Sequence, residues 1–144
     1  MTAALHFSGD MMFGNVPFYE LSKVTGLEVV NAVGGEKGVR GVPAQRYAGK
    51  IKLFGNFELR ALFYRFNIKS ERFGLGWTLF FDAGRVCADW KKDSNLDGNG
   101  AGIKIGAGGG PRILWGDVVV IRADVAYSKD ASPVGFYVEA TRAF

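Results

Sequence analysis

The side chains able to do chemistry are few and far apart. His6 and Cys87 each occur once in 144 residues, so the chain can build neither an intrachain disulfide nor a zinc cluster of its own. Cys87 reads as a small packing residue. The acids come without a nucleophile and a base spaced to serve one another, so no catalytic residue, metal or cofactor is expected and nothing points to an enzyme. Gly106-Ala107-Gly108-Gly109-Gly110 resembles a phosphate-cradling loop, yet such a loop opens a helix, and Pro111 and Arg112 follow instead. Small residues facing an interior and then forming a turn account for it better. The Lys91-Lys92 pair beside Trp90 sits among Asp93, Ser94, Asn95 and Asp97, which suits solvated or lipopolysaccharide-facing cations rather than a nucleic-acid patch.

What the charges do show is alternation. From Lys50 to Tyr64 the odd positions are Ile51, Leu53, Gly55, Phe57, Leu59, Ala61 and Phe63, and the even positions carry Lys50, Lys52, Glu58 and Arg60. Period two separates the faces of a strand, so one face is apolar and the other charged. The run is about fifteen residues long. Strands of soluble domains cluster near ~5–6 residues, whereas a tilted strand crossing a membrane needs ~9–11.

The rule repeats downstream. Phe73, Leu75, Trp77, Leu79, Phe81 and Ala83 oppose Gly74, Gly76, Thr78, Phe80, Asp82 and Gly84. Later segments set Ile103 and Ile105 against Lys104, Val119 and Ile121 against Arg122 and Asp124, and Phe136 and Val138 against Tyr137 and Glu139. Arg142 breaks the last apolar face at its end, where a long cation can snorkel to an interface. The spacing predicts six antiparallel strands over about 3–13, 50–65, 72–87, 99–109, 117–128 and 134–144. A long loop covers 14–49, a short turn Asn67–Ser70, a polar loop Cys87–Asn99, a Gly/Pro turn Gly109–Gly116 and a small loop Lys129–Pro133. Short turns alternating with longer loops is the habit of outer-membrane barrels.

The expected fold is therefore all-β, the six-strand portion of an antiparallel transmembrane β-barrel. Six strands leave two edges whose backbone groups lipid cannot satisfy, so further strands are expected. No apolar run reaches the ~18 residues of a spanning helix. No Lys/Arg-led apolar start follows Met1, so the true N-terminus is expected upstream. A soluble basic β-domain binding an acidic partner shares the same periodicity, and the net charge of +4 is compatible with it.

Four short motifs lie in order along nearly the whole chain: Gly38-Val39-Arg40-Gly41, Asn56-x-Glu58-x-Arg60, Phe80-x-Asp82-x-Gly84 and a terminal Phe136-Tyr137-Val138 ending at Phe144. Together they resemble the C-terminal barrel region of the bacterial surface antigen superfamily, the outer-membrane assembly factors and two-partner-secretion translocators. Pro17-Phe18 and Gly34-Gly35 look like that family's lead-in to its lumen-inserting loop. The resemblance implies that the 14–49 loop folds into the lumen, that the tip Val39-Arg40-Gly41 pairs through Arg40 with Asp82, and that Phe80, Gly84, Glu58 and Arg60 line its seat. Unpaired, Asp82 would be costly in a crowded interior, and a guanidinium offers it bidentate donors. Gly41 would let the tip turn, and Gly74, Gly76 and Gly84 would leave room for it. Without the resemblance, Arg40 reads as a solvated cation and Asp82 as a turn residue.

Phe136, Val138 and Phe144 match the C-terminal signal by which such barrels are handed to their assembly machinery. Val42 stands where the tip motif has an aromatic, and Thr141 where the closing strand has a glycine. The implied partners are the outer-membrane bilayer, unfolded outer-membrane or secreted polypeptides, the earlier barrel strands and periplasmic POTRA domains, with no nucleic acid. The implied function is assembly, insertion or translocation of polypeptides at the bacterial outer membrane. The alternative within membranes is a barrel that anchors or exports a fused passenger.

Overall fold

The computed structural model describes residues 1–24, 30–31, 33–91, 102–116, 118–129 and 134–142. These residues are all-β: β1 (Thr2–Met11), β2 (Lys23–Val24), β3 (Val30–Asn31), β4 (Ile51–Ile68), β5 (Glu71–Cys87), β6 (Ile103–Trp115), β7 (Val119–Ser128) and β8 (Gly135–Arg142). Six of them form one antiparallel sheet in the order β1-β4-β5-β6-β7-β8, while β2 and β3 pair as a separate ribbon inside the long loop. The sheet does not close on itself, and β1 and β8 are its edges.

The strands follow the alternation that defines them. On β5 the even residues Gly74, Gly76, Thr78, Phe80, Asp82 and Gly84 are buried, while Trp77, Leu79 and Phe81 are exposed. The same parity holds on β7, where Asp124, Ala126 and Ser128 are buried and Val125 and Tyr127 exposed. No second protein layer covers the odd face among the described residues: Phe57, Trp77 and Leu79 are 39, 47 and 56% exposed. The even face is covered instead by the 33–42 stretch of the loop. A small core of Val24, Val33, Val39, Val42 and Phe54, flanked by Tyr47 and Val86, lies between the two.

The structure departs from the sequence expectation at the end of β4, which runs to Ile68 into the expected Asn67–Ser70 turn, and in three further places. First, Gly109–Gly116 is not a turn up to residue 115. β6 runs on through Pro111 to Trp115, in unbroken register with β5 from Phe73↔Trp115 to Arg85↔Ile103. Proline cannot donate to a ladder, and the pairing with β7 skips 110 and 111 between Gly109↔Val125 and Arg112↔Arg122. Second, β1 ends at Met11, so Phe13 lies beyond it. Third, β4 carries a bulge: Leu62 pairs with Gly76 but Tyr64 with Leu75, leaving Phe63 as an extra residue. Beyond it the parity inverts, so Tyr64, whose even number predicts the charged face, joins Phe66 on the apolar side. Arg65 turns to the loop-bearing side, opposite Gly74. The expected loop segments 92–99 and 130–133, the strand ends at 99–101, 117 and 143–144, and the signal residue Phe144 lie outside the described residues.

Candidate functional site

The loop tip is built from a turn closed by the Val42 N–H donating to the Val39 carbonyl at 3.2 Å. Gly41 is its third residue with φ +90°, a conformation glycine takes without steric cost. The Gly35 N–H donates to the Val42 carbonyl at 2.8 Å and closes the stem. The Asn56 side-chain amide on β4 donates to the Gly38 carbonyl at 2.7 Å, and the Gly41 N–H donates to the Tyr137 hydroxyl on β8 at 2.9 Å. One short segment thus touches both ends of the strand series from β4 to β8, so the sheet must curl around it.

Arg40 is the centre of the contact and only 2% exposed. Its Nε donates to Asp82 Oδ2 at 2.7 Å and its Nη2 to Asp82 Oδ1 at 2.8 Å, a bidentate fork; its backbone N–H adds a third bond to Oδ2 at 3.1 Å. Nη1 donates to Glu58 Oε1 at 2.6 Å. The guanidinium carbon sits 3.5 Å from the centroid of the Phe80 ring, a cation–π seat. Charge-assisted, bidentate and dry, this is the geometry in which an ion pair is strongly directional.

Of the wall residues named from the resemblance, Asp82, Glu58 and Phe80 touch that guanidinium, while Arg60 and Gly84 lie one contact further out. Asp82 and Glu58 are its acceptors, and Phe80 its face contact. Arg60 donates to the other Glu58 oxygen at 2.7 and 2.8 Å. Gly84 admits Val39 and Val33, since a Cβ there would come 2.9 Å from Val39 Cγ2 and 3.1 Å from Val33 Cγ1. Gly74 and Gly76 do not make room for the loop: a Cβ at either would meet Leu62 or the Ala61 carbonyl within the sheet. Gly106 does, because a Cβ there would overlap the Arg40 carbonyl oxygen. Phe136 and Val138 are exposed on the opposite face of β8 and take no part.

Sequence reasoning also missed a second anchor. Lys52 is fully buried, with its ammonium 3.1 Å from Asp10 of β1 and donating to the Lys23 and Glu20 carbonyls at 2.5 and 3.3 Å. It pins the start of the loop as Arg40 pins its tip. A lysine at an even position of β4, across from Asp10 of β1, was the available signal, but the loop meets it with backbone carbonyls, which no side-chain pattern reveals. Arg122 on β7 binds Glu36 of the loop at 3.0 Å and Glu139 of β8 at 2.5 Å.

At the loop end of the sheet, Phe13 stacks on Trp90 at 4.6 Å, and the Trp90 indole donates to the Met12 carbonyl. Asp89, past β5, accepts from the Trp90 N–H and from Lys50, which hold its carboxyl below the usual carboxylate range. No group of three or more His, Cys, Asp or Glu is placed to hold a metal among the described residues. The arrangement can lock a loop against a wall. Comparison with known families, with curated proteins and with solved structures finds no match.

Proposed function

We propose that the chain is the barrel part of a bacterial outer-membrane protein of the surface-antigen type, which inserts or translocates polypeptides without covalent chemistry. The observation that carries the reading is the Arg40 clamp, with Asp82 and Glu58 as acceptors and Phe80 beneath it, holding a folded-in loop on one face of a sheet whose other face is bare and apolar. The bare face has the proportions of a bilayer. Tyr64, Phe66, Phe73 and Trp115 form a stacked row with centroids 5.5–6.0 Å apart at the turn end, and Arg85 marks the far end on β5. Twelve residue steps separate Phe73 from Arg85. That is ~40 Å along the strand, or ~30 Å along the membrane normal at a tilt of about 40°. Aromatic rows at the interface are a property of transmembrane barrels.

On this reading β1 and β8 pair with further strands, because open edges cannot stand in hydrocarbon. Client polypeptides, the bilayer and periplasmic POTRA domains are the partners. The work is done by strand pairing and local thinning of the bilayer at a weak seam, and the clamp keeps the loop-filled wall rigid beside it. The test is Asp82→Ala in the full-length protein, assayed for insertion of a urea-unfolded barrel client into lipid vesicles. A fall in insertion rate or in the barrel's heat stability is expected, and no change in either would defeat the role given to the clamp. If the chain stays monomeric in buffer without detergent, it is instead a soluble β-domain.

A further inference from the structure

Towards the β4–β5 turn the loop no longer covers its face of the sheet. An open cavity of about 580 Å³ lies there, within the size range of ligand pockets. Leu62, Leu114 and Val120 supply apolar wall, and Arg60, Arg65 and Arg112 reach into it. Arg65 belongs to this face only because of the bulge in β4.

The guanidiniums outnumber their acceptors. Both oxygens of Glu58 are engaged, one by Arg40 and the other twice by Arg60. Arg112 has a single long bond to that second oxygen at 3.4 Å, and its buried Nε has no acceptor among the described residues. Arg65 makes no ion pair among them. Asp124, the nearby acid on β7, accepts no hydrogen bond from either arginine. A half-buried guanidinium short of acceptors is a standing cost that an incoming anion relieves.

We propose that this cavity binds a carboxylate-bearing peptide segment, with Arg112 and Arg65 taking an acidic side chain while Leu62, Leu114 and Val120 take the apolar residue beside it. The mixed lining favours a peptide over a bare inorganic anion, which would leave the apolar wall unused. This deepens the proposed function and rests on it for the partner being a polypeptide. It gives the client class: segments in which acidic and aliphatic residues alternate.

The test uses the full-length protein in detergent micelles and two amidated tetrapeptides carrying a neutral fluorophore, Leu-Glu-Leu-Glu and Leu-Gln-Leu-Gln, followed by anisotropy. The glutamate peptide is expected to bind at least about tenfold tighter, and the preference to weaken with salt. Arg65→Gln, an exposed change that leaves the fold intact, should reduce the preference about threefold, and R65Q with R112Q should abolish it. Equal binding of the two peptides by the unaltered chain, or full preference in R65Q, overturns the site. Insertion into vesicles is scored on the same preparations. A chain that inserts without preference defeats only the site, and one that shows the preference without inserting defeats only the membrane reading.

Discussion

Asp82 and Asp124 make a direct comparison. Both are acids on the loop-bearing face, on strands separated only by β6, and they are 0 and 2% exposed. Asp82 accepts three hydrogen bonds from Arg40. Asp124 accepts none among the described residues, and its nearest cation is Arg122 Nε at 3.8 Å. Thr78, fully buried beside Phe80's strand neighbours, likewise has an unpartnered hydroxyl. The difference follows the loop tip: Asp82 lies under Arg40, whereas Asp124 and Thr78 receive no hydrogen bond from residues 33–42. At Asp82 the matching is supplied by the loop tip, whereas elsewhere on the wall strand side chains pair with one another, as Arg60 does with Glu58 and Arg122 with Glu139.

The largest expected effect tests the matched half. Asp82→Asn removes the charge while keeping the shape, leaving Arg40 buried without its main partner, and should cost about 3–5 kcal/mol. Urea unfolding of the protein in micelles reads this directly, and a midpoint within error of the parent would mean that the loop is held by packing alone. Next comes Gly106→Val, which sets a branched side chain against the Arg40 carbonyl. It should cost about 1–3 kcal/mol through overpacking and loosen the tip. Protease cleavage within 33–42 in the variant but not in the parent would locate the damage. The smallest effect belongs to Asp124→Asn, expected to shift stability by less than about 1 kcal/mol because no hydrogen bond is lost. A loss as large as that at Asp82 would erase the contrast.

The two faces of the sheet were legible from residue parity, because a strand's alternation is local and each long strand repeats it. Arg40 and its seat were legible only through the order of short motifs, since what brings residue 40 to residues 58 and 82 is the path of a loop with no periodic signal. Nor does the sequence separate Gly84 and Gly106, which face the loop, from Gly74 and Gly76, which do not: which small residue faces a loop depends on where the loop lands. Pro111 misled for a different reason. Next to three glycines it signals a turn, yet at a skipped pairing between β6 and β7 it sits within a strand. Lys52's grip on the loop escaped because the loop meets it with main-chain oxygens.

The extra residue at Phe63 governs everything C-terminal to it in β4. Were Phe63 to take a regular place in the ladder instead of bulging, strict alternation would rotate the following residues by half a turn of the pleat. Tyr64 and Phe66 would then leave their ring stack for the crowded interior, and Arg65 would face the greasy exterior instead of the cavity. One inserted position thus sets both where the aromatic hem of the sheet falls and which cations its inner wall can present.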